Sequence, residues 1–150
     1  SLKVNVIGTA LVTKYAVEAM KRNNGGQGKG AIINLASISS FIAQPNFVTY
    51  SATQAALLQM TKNLALDLGP FNIRVNAVCP GTIVTQATDH HRALTGITQE
   101  EFEAAEAPHY MLKRIGQPRE VAYPILFLAS DEASFVTAAH LMVDGGYVAQ

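Results

Sequence analysis

Residues 31–78 read AIINLASISSFIAQPNFVTYSATQAALLQMTKNLALDLGPFNIRVNAV, and this stretch decides the fold. It opens with AIINL (31–35), a short apolar run read as a strand buried on both faces. A loop follows over 37–45. Residues 49–68 carry the pattern of a long helix that ends at Gly69-Pro70, a common stop signal. IRVNAV (73–78) is then a second strand, closed by Pro80-Gly81. Strand, long crossover helix and strand together predict a parallel pair with the helix packed on one face.

The flanks extend the same alternation. Upstream, residues 2–22 place Leu2, Val6, Leu11, Val12, Tyr15, Ala16, Ala19 and Met20 at three- and four-residue spacings, an amphipathic helix. NNGGQGKG (23–30) reads as a flexible turn. Downstream, a polar stretch runs over 82–116. Within it Thr98 and Glu101 form a capping-box signature for a short helix. Pro118 opens another helix reaching 128–130, in which Pro124 should kink the axis or cost a backbone bond. Residues 140–143 are a last strand before Asp144-Gly145-Gly146. The expected class is α/β: three parallel strands with flanking helices, part of a Rossmann-type doubly wound sheet.

Length and composition narrow the function classes. The 150 residues suit one domain, with 49% hydrophobic and 15% charged residues. Acidic and basic residues cancel at 11 each, which points away from nucleic acid or an anionic membrane as partner. The single cysteine, Cys79, excludes an internal disulfide and fits a reducing, cytoplasmic compartment. No apolar run reaches the ~18–20 residues of a membrane span, and no signal-peptide pattern opens the chain. The chain starts at Ser1 directly in helical periodicity, an odd start for a natural protein.

Ligands of parallel sheets bind beyond the carboxyl ends of the strands. Ser37, Tyr50 and the Pro80–Thr85 segment all follow strand ends and are expected to converge on one site. Tyr50 near a helix start and Gln54 at i+4 share one face, a frame suited to an acid/base pair. A lysine at position 54 would stabilise the phenolate. At ~6 Å and an effective dielectric of ~20, that charge would be worth roughly 2–3 kcal/mol. Glutamine keeps the reach and the hydrogen bonds but supplies no field. Lys62, two turns further along, lies ~12 Å from Gln54 and does not replace it.

These motifs resemble the short-chain dehydrogenase/reductase family in its standard single-domain branch, here as a C-terminal portion. N-V-I-G (Asn5 to Gly8) is similar to the family's helix motif whose asparagine supports a proton relay through water. Ser37, thirteen residues before Tyr50, matches the substrate-binding serine and catalytic tyrosine. NIRVNAVCPGTIVT (72–85) resembles the strand and turn packed on the nicotinamide. Within it Pro80, Gly81, Ile83 and Thr85 match cofactor-lining positions. GQPREVAYPILFLASDEASFVTAAHLMVDGGY (116–147) resembles the family's last helix, strand and VDGG.

The resemblance implies hydride transfer between NAD or NADP and an alcohol or ketone. Tyr50 would exchange the hydroxyl proton, Ser37 would hold the substrate oxygen, and Asn5 would fix a water. Gln54 stands where the family has its catalytic lysine, which also bonds the nicotinamide ribose; Tyr50 and Gln54 would both touch the cofactor. Residues 86–113 are the expected substrate lid. A homo-oligomer, dimer or tetramer, is implied through helices 2–22 and 49–68 and through the last helix and strand. Two departures stand out. The Gly-rich phosphate turn and the first strands are absent, and GGQGKG does not replace them because it precedes a strand, so NAD or NADP is expected to need that missing segment and this chain alone is not expected to bind a dinucleotide well. Ala138 occupies a position where glycine is common. The competing expectation is a catalytically inactive relative serving as a binding or oligomer-forming subunit. Without the first strands, residues 31–35 would present an unpaired edge prone to aggregation.

Several residues carry plainer expectations. Ser39 and Ser40 read as loop hydroxyls bonding their own backbone. His90-His91 reads as a solvated loop rather than a metal pair, because adjacent helical residues point about 100° apart. Glu100, Glu101, Glu103 and Glu106 read as a solvated face plus a cap. Cys79 reads as a small buried hydrophobe. His109, Tyr110 and Met111 either line the lid or anchor it.

Overall fold

The structure is a computed structural model that describes all 150 residues apart from the side chain of His91. Three parallel strands, β1 (Gly30–Leu35), β2 (Ile73–Pro80) and β3 (His140–Val143), form one sheet in the order β1-β2-β3. Helix α1 (Thr9–Met20) precedes β1, and α2 (Val48–Leu68) crosses from β1 to β2. Three further helices, α3 (Gln86–Thr95), α4 (Gln99–Glu106) and α5 (Pro118–Ala129), lie between β2 and β3.

Alternation along β2 builds the two layers. Ile73, Val75, Ala77 and Cys79 face α1 and α2, where they meet Val17, Leu57, Ala65 and Leu68. Val78 points to the other face, against Val121 and Leu128 of α5. The polar residues on that second face are satisfied. Arg74 donates to the carbonyls of Leu128 at 2.7 Å and Ser130 at 2.9 Å, closing the end of α5 where carbonyls lack partners. Asn76 uses both ends of its amide, donating to Val136 O at 2.8 Å and accepting from Ala139 N at 3.0 Å.

The structure corrects several expectations. The AIINL strand is not buried on both faces. It pairs with β2 alone, and while Ile32 and Ile33 touch opposite layers, Leu35 is 56% exposed. The second strand runs past residue 78 to Pro80, which pairs with Val143 at the strand end, where a missing N–H is tolerated. The first helix opens with a wider π-helical segment, Leu2–Gly8, before its α-helical part. Residues 23–30 are a tight connection rather than a loose one. Gly28 has φ +82, and a Cβ there would sit 2.2 Å from the Phe71 carbonyl oxygen, so only glycine fits. The 82–116 stretch contains α3 as well as the expected capped helix α4. His90 therefore lies on a helix and is exposed, while the His91 side chain is outside the described residues. Helix α5, by contrast, meets the expectation: it runs on through Pro124 with one backbone donor missing.

Candidate active site

Topology brings the expected residues to one end of the sheet. Leu35 and Val78 are register partners, so Ser37 and the Pro80-Gly81 turn leave neighbouring strands side by side. Both α1 and α2 run back across the sheet, which puts their N-terminal turns at this same carboxyl end. Tyr50 lies in the first turn of α2 and Asn5 in the π-helical segment that leads into α1.

A two-bond chain ties these segments together. Asn5 Nδ2 donates to Thr53 Oγ1 at 2.9 Å, and Thr53 Oγ1 donates to the carbonyl of Tyr50 at 2.7 Å. Thr53 is 1% exposed. Asn5 thus serves as an interhelix hydrogen-bond residue, with Oδ1 still able to accept. The Tyr50 ring is half-buried and packs edge-on against Phe47, with centroids 5.6 Å apart.

Ser37 starts the short helical turn Ile38–Ser40, which packs against α2. Its Oγ accepts from the backbone N–H of Ser39 at 3.1 Å and lies 3.1 Å from the Ser39 hydroxyl. Ser39 is buried and its hydroxyl is bonded to the Gln44 side chain. Its hydroxyl thus braces the serine loop by side-chain bonds, contrary to the expected bond to its own backbone. Ser40 Oγ is buried with no partner among the described residues. Gln54 is 6% exposed, and its Oε1 likewise has no partner among the described residues.

The turn after β2 is held from the opposite side. Gly81 N donates to Val143 O at 3.1 Å, and a Cβ on Gly81 would lie 2.9 Å from the Tyr110 ring and 3.3 Å from Asp144 Cα. Thr82 N donates to Tyr110 Oη at 2.8 Å, while its hydroxyl donates to Glu106 at 3.0 Å. Ile83 bridges Gly116 and packs beside Val78 and Val121. Thr85 precedes α3, its N–H donating to Thr88 Oγ1 at 2.8 Å. Tyr110 is an anchor: 1% exposed, stacked edge-on against Tyr147 and packed with Phe102 and Ile115. Burial, first among its surroundings, pushes its phenol up from the ordinary value. His109 and Met111 stay exposed. Glu106 leaves the solvated set by its bond to Thr82, whereas Glu101 is the cap, accepting from Thr98 N at 2.8 Å.

A cavity of 420 Å³ opens beyond the ends of β2 and β3, walled by Gly81, Ile83, Tyr110, Met142 and Asp144 among others. Ser37, Tyr50 and Gln54 do not line it. At its rim Arg114 grips Glu120 through two bonds of 2.6 and 2.8 Å, which hold that carboxyl down to about 2. Cys79 is fully buried under the turn. Burial first, then the Asp144 charge, push its thiol from 9.0 up to about 11. It is an inert core atom, as its position before Pro80 suggests. Among the described residues no group of three His, Cys, Asp or Glu could hold a metal ion, and no helix is long and apolar enough to cross a membrane.

Sequence reasoning missed Thr53, Thr82 and Gln44. Thr53 carries a weak signal, a hydroxyl one turn after Tyr50 and set to bond its carbonyl. The other two bonds depend on loop packing and leave none.

Known proteins share this arrangement. A family profile described as enoyl-(acyl carrier protein) reductase matches residues 1–148. An uncharacterized oxidoreductase of Thermotoga maritima is 41% identical over 149 residues, covering 99% of this chain and 57% of the relative. An L-rhamnose 1-dehydrogenase (NAD(P)+) of Azotobacter vinelandii is 41% identical over 147 residues, covering 97% of this chain and 56% of the relative. The ligand-free structure of the aldohexose dehydrogenase of Thermoplasma acidophilum superposes with a TM-score of 0.88 at 33% identity, covering 97% of this chain and 57% of that one. The chain thus spans little more than half the length of these relatives. With the family profile matched almost end to end and the same sheet, helices and turns in place, the chain belongs to the short-chain dehydrogenase/reductase family.

Proposed function

We propose that this chain is the substrate-handling part of an NAD(P)-dependent oxidoreductase that interconverts an alcohol and a ketone. The observation that carries the reading is the Asn5–Thr53–Tyr50 chain, which ties Asn5 to the backbone of the Tyr50 turn at the carboxyl end of the sheet, the end from which Ser37 also leaves β1. The names of the relatives, dehydrogenases among them, agree with this class.

The residues divide the work. The nicotinamide supplies or receives the hydride when bound. Tyr50 donates its phenolic proton to the carbonyl oxygen in reduction and takes it back in oxidation. Ser37 hydrogen-bonds the same oxygen and fixes its place, its own position set by Ser39 and Gln44. Asn5, with Nδ2 committed to Thr53, offers Oδ1 to a water on the proton path. Pro80, Gly81, Ile83 and Thr85 would line the nicotinamide, and Gln54, at the family's lysine position, would hold its ribose. The partnerless, buried Oε1 of Gln54 suits such a polar group. Residues 86–113 act as the lid, where exposed Leu94, Met111 and Leu112 offer apolar contacts to a mid-sized substrate. We assign the protein to the cytoplasm, in keeping with its one buried thiol.

Two sets of elements, α1 with α2 and α5 with the segment after it, fit self-association into a homotetramer. Exposed apolar side chains on these elements are Tyr15 on α1 and Val48 and Leu66 on α2, and Tyr123 and Leu126 on α5 with Phe135 after it, whereas Val4 and Val12 line a groove along the open edge of β1. The uncharged Gln54 favours one second reading, a subunit kept for assembly without catalysis.

Titration of NADH and NADPH into the full chain, followed by nicotinamide fluorescence with sedimentation in parallel, separates the two. Saturable binding of either nucleotide is the expected result when the Gly-rich phosphate segment is present, with weak binding or none by residues 1–150 alone. Assembly without binding when that segment is present would overturn the enzymatic reading in favour of the subunit.

A further inference from the structure

Thr82 stands between Gly81 and Ile83 in the turn after β2, and residues 106–116 hold it at three points. Its N–H donates to Tyr110 Oη at 2.8 Å, its hydroxyl donates to Glu106 at 3.0 Å, and its carbonyl accepts from Gly116 N at 2.9 Å. Both of its donors are spent within the chain. Glu106 ends α4 and Tyr110 follows four residues later, so the stretch that leaves the turn at Thr85 comes back to grip the turn itself. The neighbouring Gly81 gives this backbone wide conformational freedom, and outside bonds are what hold it to one shape.

The Tyr110 hydroxyl is the informative group. The ring, almost fully buried, fills the space between Gly81 and Gly145, where an added Cβ would meet it at 2.9 and 3.4 Å. Phenylalanine would fill that space equally and avoid the cost of burying a phenol. What the hydroxyl adds is the bond to Thr82.

We propose that Tyr110, aided by Glu106, is a positioning residue of the cofactor site: by gripping Thr82 it sets the backbone of Gly81 and Ile83 that would line the nicotinamide. The inference rests on the cofactor reading proposed above. Neither side chain has to touch the nucleotide. The end of the lid and the cofactor-lining turn form one unit, and nucleotide affinity depends on a hydroxyl 28 residues away in sequence.

The test compares the wild type with Tyr110→Phe, which deletes only the hydroxyl, in two measurements. Amide exchange of the full chain reads the bond itself, and the Thr82 N–H should exchange about tenfold faster in the variant. Binding of NADH and NADPH, by the protein that includes the Gly-rich phosphate segment, reads the consequence. Well below the unfolding transition a merely structural loss leaves affinity unchanged. Tyr110→Phe should there bind the preferred nucleotide about fivefold more weakly, the worth of about one hydrogen bond. Glu106→Ala should weaken binding likewise, and Glu106→Gln, which keeps an acceptor for the Thr82 hydroxyl, should recover most of that loss. Unchanged exchange at Thr82, or faster exchange with unchanged affinity, overturns the inference and leaves the cofactor reading standing. A wild type that binds neither nucleotide overturns both. If Tyr110→Phe fails to fold, judged by far-ultraviolet circular dichroism, the two Glu106 variants decide: equal affinity in Glu106→Ala and the wild type overturns the inference.

Discussion

Replacing Thr53 with valine, nearly its isostere, should loosen the site without opening a cavity. Thr53 Oγ1 makes two bonds, accepting from Asn5 Nδ2 at 2.9 Å and donating to Tyr50 O at 2.7 Å. Each such bond is worth about 1 kcal/mol net. The Tyr50 carbonyl keeps its place in the helical ladder, and the half-buried Asn5 amide can turn to water, so neither partner is stranded at full cost. The added methyl in a site that is 1% exposed returns up to about 0.8 kcal/mol. The net loss is therefore about 1 kcal/mol, a fall in melting temperature of roughly 2–4 °C for a chain of this size. Urea unfolding of Thr53→Val, Asn5→Ala and the double variant closes a cycle. A coupling of about 1 kcal/mol between the two positions is expected. Additivity within about 0.3 kcal/mol would refute the bond chain as the link between α1 and Tyr50.

Further outcomes follow from backbone strain, ionisation and the open edge. Ala138 has φ +59, a left-handed conformation costing about 1–2 kcal/mol for a residue with a Cβ, so Ala138→Gly should stabilise by about 0.5–1 kcal/mol after the entropy of the freer unfolded chain is counted. A lower urea midpoint for that variant would contradict it. Because the folded Cys79 thiol titrates near 11 against 9.0, the stability it confers is complete below pH 9 and is lost as pH rises to 11. The loss is roughly 2–3 kcal/mol, it should vanish in Cys79→Ala, and alkaline unfolding curves measure it. Leu35→Lys on the exposed edge of β1 should lower the self-association of the 150-residue chain in light scattering, and unchanged scattering would count against β1 as the sticky edge.

The β–α–β frame was legible because its signals are local: the AIINL run, the Gly69-Pro70 stop and the alternation of IRVNAV. The unpaired edge of β1 was legible from the absent first strands, but not from its apolar run, which by itself reads as burial on both faces although Leu35 is 56% exposed. Helix α3 escaped notice since QATDHHRALT lacks an apolar stripe and begins on a Thr85–Thr88 cap. At the candidate site, Ser37, Tyr50 and the Pro80-Gly81 turn could be placed at one end of the sheet from connectivity alone. The braces could not. Thr53, Gln44 and Glu106 act through side chains whose partners are distant in sequence or lie in loops. The partnerless state of Gln54 Oε1 becomes visible only in three dimensions.

In the proposed reaction Tyr50 moves a proton in an NAD(P)-linked step. Its most direct test is nucleotide-dependent turnover of the full chain across a panel of secondary alcohols and ketones, beside Tyr50→Phe. The wild type should turn over at least one pair, and Tyr50→Phe should lose that turnover with NADH or NADPH binding retained. Equal turnover in both proteins, or none in a wild type that binds the nucleotide, would contradict it.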